Sequence, residues 1–280
     1  MGESYVPVAL VVWRECVEAL LIVGILNAWL GHRADRGLVS VGCRFLWSGV
    51  AAGLVAAVLL GAILLFFAQW LEGDREDYFQ LLMVFVAAML ILQMVVWMRA
   101  QGRGMRGDLE RRAERTIANG WGLAVLAASA VLREGSETVV FVYGILASAT
   151  GATVWQTAAA VLSGLAAGAG SYALLQLGAR RFPWALFFQV TQTILFFLAA
   201  ALIMAGLDRA IGLGLVSPLS LPLWDSAWLL DDGSGTGSLL AGLTGYRARP
   251  ELLPLLVYGS YWLGVVLLLW PRHAARGQVA

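Results

Sequence analysis

Long runs of apolar residues alternate with short polar stretches along the whole chain. A helix needs about 20 apolar residues to cross a hydrocarbon core that is roughly 30 Å thick. Seven runs reach that length, centred near Ala19, Val58, Ala88, Ser136, Leu165, Ala199 and Gly264. The pattern therefore predicts an all-α integral membrane protein with seven transmembrane helices.

Three similarities between the two halves of the chain indicate a duplicated unit. The first and fourth runs share Arg-Glu-x-x-Glu, at residues 14–18 and 133–137, and the second and fifth share Ser-Gly-x-Ala-Ala-Gly, at residues 48–53 and 163–168. The third and sixth runs carry Gln80 and Gln192 at corresponding positions. Because three crossings is an odd number, the second copy is inverted, as in many secondary transporters whose substrate sites lie between the repeats.

One transmembrane domain is predicted over residues 1–280, with two inverted three-helix repeats and one extra helix. Its parts are repeat one at about 5–99, a cytoplasmic amphipathic segment at 99–119, repeat two at about 120–212, an external loop at 213–250 and helix seven at 251–271. The amphipathic segment is expected at the lipid headgroups because Leu109, Ala113 and Ile117 recur at helical spacing among arginines.

Charged residues are scarce and unevenly distributed. They make up 13% of the chain, about half the share in ordinary soluble domains. Thirteen arginines fall in one alternate set of loops and four in the other, and the chain has no lysine. Because basic residues of short loops stay in the cytoplasm, we expect a multi-pass protein of the inner (plasma) membrane with its N-terminus outside and its C-terminus in the cytoplasm. The lipid bilayer is an expected partner, and nucleic acid is not.

Six charged residues lie inside predicted spans, where each costs about 2.5–3.5 kcal/mol on insertion scales. They are Arg14, Glu15, Glu18, Arg133, Glu134 and Glu137. Residues three or four apart share a helix face, so the two glutamates of each motif point the same way, and each arginine reaches the glutamate four residues later. The inverted repeat brings both faces together near mid-membrane, with four carboxylates against two guanidinium groups.

This excess of negative charge requires protons or a cation in a low-dielectric interior. Carboxylate oxygens prefer hard ions such as ferric iron, manganese, calcium or magnesium. Both histidines lie outside the spans, which argues against zinc or copper. We therefore predict that the four glutamates bind metal and that Arg14 and Arg133 support them, the alternative being purely structural pairing between helices.

Other polar residues extend this candidate path. Gln80 and Gln192 either line it, brace the glutamates or cap neighbouring backbone groups. Cations could approach along acidic residues of the external segments, although solvated loop charges are the simpler interpretation. These residues are Glu76, Asp77, Asp225, Asp231 and Asp232. The four methionines between positions 83 and 98 are interpreted as core or lipid-facing residues.

Three classes of function are compatible with such a site. A transporter of a hard cation is favoured, and the oxygen ligands alone do not distinguish iron from manganese or calcium. A membrane-embedded carboxylate metalloenzyme is less favoured because the chain has no histidine-containing metal motif and no nucleophile elbow. A structural or partner-binding subunit is the third class. Without lysine there is no Walker A motif, so we do not expect direct use of ATP.

At these motifs the sequence resembles the high-affinity, oxidase-dependent iron permease family. Residues 133–137 match its Arg-Glu-Gly-x-Glu pattern, and Cys16 replaces the glycine in residues 14–18. Trp97-Met98 and residues 244–250, Thr-Gly-Tyr-Arg-x-Arg-Pro, add to the likeness. The resemblance implies uptake of ferric or newly oxidised ferrous iron as substrate, no permanently bound cofactor, and an extracytoplasmic oxidase, peroxidase or iron-binding protein as partner. Family members often carry an acidic residue near the position of Gln80.

Overall fold

A computed structural model describes residues 4–31, 36–101, 121–149, 153–178 and 184–269. Within these ranges the chain forms eight helices and no β-strand. The helices are α1 (Tyr5–Gly31), α2 (Arg36–Trp70), α3 (Asp74–Gln101), α4 (Trp121–Ser148), α5 (Val154–Gly178), α6 (Trp184–Gly212), α7 (Gly235–Thr244) and α8 (Leu252–Leu269). The predicted amphipathic segment 99–119 lies outside the described residues, apart from the end of α3.

Five ranges within these helices are long and apolar enough to cross a membrane: Ser40–Trp70, Asp74–Trp97, Val154–Leu174, Gln189–Gly212 and Leu252–Leu269. The prediction of an all-α membrane protein is thereby confirmed. Helices α1 and α4 have sufficient length, with 27 and 28 residues, but each carries one arginine and two glutamates. Seven crossings therefore remain a prediction.

The helices pack in pairs around a common core. Helix α1 lies along α5, α2 lies along α4, and α3 packs against α6, while α4 also contacts α1 and α3. Buried apolar side chains of α1, α3, α4 and α6 form the main core cluster, with Val11, Ile91, Phe141 and Leu198 among its members. Most large side chains of α2 face outward, as expected for a helix in contact with lipid.

Small residues allow two of these pairs to approach closely. Gly49 and Gly53 of α2 lie against the backbone of α4, where an added Cβ at Gly53 would come within 2.7 Å of the Ala128 carbonyl oxygen. Gly164 and Gly168 of α5 lie equally close to α1. The two Ser-Gly-x-Ala-Ala-Gly segments thus act in helix packing, as small residues commonly do in membranes.

The segment predicted as an external loop is folded. It contains α7, which is capped at its C-terminus by Gly245 with φ 77°, a left-handed conformation that favours glycine. Ser226 donates its backbone N–H and its hydroxyl to the Ala248 carbonyl, and the Tyr246 hydroxyl contacts Ser226 and Leu230. We call the end of the helix bundle that carries this segment the loop end.

Candidate metal site between α1 and α4

Both Arg-Glu-x-x-Glu motifs lie on helix faces that turn toward the middle of the bundle. The helical spacing places the two glutamates of each motif one turn apart, and the packing of α1 against α4 brings the two faces together. Glu15 is only 1% exposed, and Glu18 and Glu134 are also buried. Helical spacing in the sequence thus puts the two glutamates of each motif on one face of their helix. The packing of α1 against α4 then brings the glutamates of both motifs together.

Arg14 ties the first motif together. Its Nη2 lies 2.6 Å from Glu18 Oε1, the contact that the four-residue spacing predicted. Its Nη1 lies 2.7 Å from Glu15 Oε1 and 2.7 Å from the Met94 sulfur on α3. With 2% of its side chain exposed, Arg14 is a buried cation that contacts two carboxylates of its own helix.

The second motif has the same pairing in a more open setting. Arg133 Nε lies 3.1 Å from Glu137 Oε1 and 4.0 Å from Glu134 Oε1. The guanidinium stands 4.3 Å above the Trp97 ring, a cation–π contact. In contrast to Arg14, 44% of the Arg133 side chain is exposed, so the two copies of the motif are not equivalent in this conformation.

Three of the four predicted ligands converge. One carboxylate oxygen from each of Glu15, Glu134 and Glu137 lies within 4.8 Å of the others. The Oε2 atoms of these residues are buried, with no hydrogen-bond partner among the described residues. Buried carboxylate oxygens without donors are costly, and oxygen clusters of this kind bind hard cations. Glu18 borders the cluster through its pair with Arg14.

The two glutamines lie at different places. Gln192 is buried on α6 beside Thr191, which lines a small pocket with Arg14. Gln80 is on α3, about 21 Å along the helix from Met94, and donates to Glu76 Oε1 over 2.7 Å. Gln80 therefore does not brace the glutamates, which corrects that part of the prediction; it lines a cavity at the loop end instead.

Two cavities open at the loop end. One, of about 520 Å³, lies between α1, α4, α6 and the folded loop, and the other, of about 610 Å³, lies between α2, α3, α4 and α6. Ser148, Asp208 and Arg247 line both, with Asp208 and Arg247 in contact as an ion pair. Asp77 lies at this end and pairs with Arg209 over 3.1 Å. Sequence reasoning did not select Asp208, Arg209 or Arg247.

The acidic loop residues are engaged in loop contacts. Asp231 accepts from the Gly233 N–H and Asp232 from the Ala248 N–H. Asp225 accepts from the Ala227 N–H and from Arg249, which together hold its carboxyl pKa below the usual range. Of these three aspartates, only Asp232 lines the 520 Å³ cavity. They form parts of a folded loop rather than a free acidic surface.

An apolar layer separates this cavity from the glutamates. The cavity reaches Pro7, Ile145 and Leu198, while Val11 and Phe141, each one helical turn from a glutamate of the cluster, are fully buried in the core. Arg133 is exposed beside Trp97, close to the opposite end of α3. Among the described residues, buried apolar side chains therefore lie between the 520 Å³ cavity and the glutamates.

Comparison with known proteins agrees with the family resemblance noted in the sequence. Residues 5–279 match the Iron permease FTR1 family. The chain is 30% identical over 280 residues to the ferrous iron permease EfeU of Escherichia coli O6:H1, covering 96% of this chain and 97% of that protein. It is 28% identical over 296 residues to the ferrous iron permease EfeU of Yersinia pseudotuberculosis, covering 100% and 98%. No solved structure matches.

Proposed function

The chain belongs to the iron permease FTR1 family, and we propose that it carries iron into the cytoplasm through the cluster of Glu15, Glu134 and Glu137, with Glu18 held beside them by Arg14. Iron is the substrate in this proposal, and no permanently bound cofactor is required. The family is one of permeases, so a transporter is favoured over a membrane-embedded metalloenzyme.

The observation that carries the proposal is the convergence of three buried carboxylates within 4.8 Å. Each contributes an oxygen that no hydrogen bond satisfies among the described residues. Four carboxylates face two guanidinium groups, so a bound cation would balance charge that the protein leaves uncompensated. Arg14 and Arg133 limit repulsion among the glutamates while no ion is bound.

Seven crossings and two inverted three-helix copies are part of the proposal. The packing supports it, because each motif helix pairs with the second helix of the other copy: α1 with α5, and α4 with α2. The third helices, α3 and α6, pair with each other. Such an exchange is what a two-fold relation between the copies would produce, and the glutamates would then lie at the interface between repeats.

The loop end is proposed to face outward, as the arginine distribution predicts. Iron would then arrive through the loop-end cavities, delivered by an extracytoplasmic oxidase, peroxidase or iron-binding protein. Carboxylates by themselves suit ferric iron, whereas the relatives are named for ferrous iron. Asp77, Glu76 and Asp232 are proposed to attract cations to this end, an effect that salt would weaken.

We expect Glu137→Gln and Glu15→Gln to reduce iron uptake by at least about tenfold, which corresponds to roughly 1.4 kcal/mol of lost ion binding. The measurement is iron uptake into proteoliposomes that contain the purified protein, with manganese and calcium as competitors. Glu72→Gln is the matched control, because Glu72 is an exposed glutamate outside the helices. Unchanged uptake by the two cluster variants would leave the motifs with a structural role, and strong competition by manganese or calcium would indicate a different cargo.

A further inference from the structure

Met94 lies at the metal site although the sequence gives no sign of it. Its side chain is 4% exposed, and its sulfur is 2.7 Å from Arg14 Nη1. The same nitrogen lies 2.7 Å from Glu15 Oε1. It therefore contacts the sulfur and this carboxylate oxygen at the same time. One positively charged atom is thus placed between a thioether and a carboxylate.

This arrangement is unusual for a buried arginine. A thioether is a weak hydrogen-bond acceptor, whereas carboxylate oxygens of Glu15, Glu134 and Glu137 nearby have no hydrogen-bond partner among the described residues. Because one nitrogen contacts both the oxygen and the sulfur, a metal ion that replaced it could bind both after a small approach of the two side chains. Arg14 Nη1 therefore marks a potential cation position with mixed oxygen and sulfur ligands.

We propose that Met94 is a ligand of the transported ion, and that its sulfur makes the carboxylate cluster select ferrous iron over hard ions. This inference rests on the proposed function of the cluster. A soft thioether adds little to the binding of calcium, magnesium or manganese, which prefer oxygen, and it suits softer ions. Iron accepts methionine sulfur in haem proteins, and ferrous iron is softer than ferric iron.

Arg14 is well placed to give way to the ion. When Nη1 moves away, it gives up its weak contact with the Met94 sulfur and its 2.7 Å ion pair with Glu15, and the positive charge of the bound ion replaces it at both groups. Nη2 can keep its 2.6 Å contact with Glu18. The arginine thereby remains paired and buried, and the sulfur and Glu15 become available together. The exchange couples ion binding to a small movement of one side chain.

The test compares Met94→Leu, which removes the sulfur at similar volume, with Met83→Leu. Met83 is a buried methionine of the same helix, about 16 Å toward the start of α3. X-ray absorption at the iron edge is recorded on protein loaded anaerobically with ferrous iron, and uptake of ferrous iron against manganese is measured in proteoliposomes. We expect one sulfur neighbour of iron in the wild type and in Met83→Leu and none in Met94→Leu. In Met94→Leu the preference for iron over manganese should fall about tenfold, as for loss of one moderate interaction.

Selenomethionine labelling of the otherwise unchanged chain keeps the test decisive if Met94→Leu does not fold. Iron should then have a selenium neighbour in place of sulfur. An all-oxygen iron environment in wild type and labelled protein would overturn the role of Met94 and leave the glutamate site intact. A wild type that binds no iron, together with Glu137→Gln uptake equal to wild type, would overturn the proposed function and this inference with it.

Discussion

At the scale of single residues, the two arginines have the same spacing to their glutamates but different surroundings. Arg14 is enclosed by Glu15, Glu18 and Met94, whereas Arg133 is partly exposed over Trp97. A buried charge that loses its partner costs far more than an exposed one. The two copies of one motif therefore contribute differently to stability.

We expect Arg14→Gln to lower the free energy of unfolding by about 3–5 kcal/mol, because it leaves buried carboxylates uncompensated. Arg133→Gln should cost less, because 44% of the Arg133 side chain is exposed and its removal leaves less enclosed carboxylates unpaired. The measurement is denaturant unfolding of the purified variants in detergent. Equal losses for both would contradict the difference in burial. Arg249→Gln, which removes an exposed ion pair with Asp225, serves as the control.

At the scale of elements, the contact between α1 and α5 explains why Cys16 is accepted where the other motif has glycine. Cys16 lies against Gly168, and a Cβ at position 168 would come 2.7 Å from its sulfur. In the pair of α4 and α2, the glycine is Gly135 and the opposing residue is Ala57. At this position each pair has a glycine on one side only, on α5 in the first pair and on α4 in the second.

Gly168→Ala is expected to destabilise the protein by about 1–3 kcal/mol through overpacking against Cys16. Adding Cys16→Gly should restore most of that loss, because the second change removes the clashing side chain. Thermal unfolding of the two single variants and the double variant forms a double-mutant cycle. Additive effects would mean that the two positions do not share this contact.

The folded loop is the other element with a testable role, since one of its aspartates faces a cavity. We expect Asp232→Asn to raise the iron concentration for half-maximal uptake several-fold at low salt, because it removes charge from the cavity that also holds Asp208. Asp225→Asn and Asp231→Asn should have little effect. Asparagine keeps one carbonyl acceptor, which suffices for the single backbone N–H bonds of Asp231 and Asp232. Asp225→Asn loses one of its two contacts, but this residue does not line the cavity. Equal effects of all three would favour a general acidic surface.

At the scale of the whole molecule, the surroundings of the glutamate cluster differ toward the two ends of the helix bundle. An apolar layer that includes Val11 and Phe141 lies toward the loop end, while Arg133 is exposed toward the opposite end. Transporters built from inverted repeats alternate the side to which the substrate site opens. If the loop end faces outward, as proposed above, this conformation is the one from which we expect iron to leave toward the cytoplasm.

This interpretation is tested with single cysteines in a chain from which Cys16 and Cys43 have been replaced by serine. A membrane-impermeant thiol reagent added on the loop side should label Ser148→Cys, which lines both cavities. The same reagent should label Arg133→Cys only when it is added on the opposite side. Labelling of both from one side would mean that the apolar layer is no barrier, and the reverse pattern would mean that the orientation is inverted.

Much of the architecture follows from local sequence. Apolar runs of sufficient length identify five helices that are long and apolar enough to cross a membrane, because hydrocarbon requires the backbone to be satisfied within each segment. Helical spacing identifies the contacts of Arg14 with Glu18 and of Arg133 with Glu137, because four residues make about one turn. These features depend on residues close together in the chain, so the sequence by itself determines them.

Tertiary packing alone decided which groups meet. The convergence of Glu15 with Glu134 and Glu137 depends on how α1 crosses α4, and the contact of Met94 with Arg14 depends on the placement of α3. The same holds for the distance of Gln80 from the glutamates and for the pair of Asp77 with Arg209. Helical periodicity fixes the face on which a residue lies, but the neighbouring helix that this face contacts is set by long-range packing of side chains.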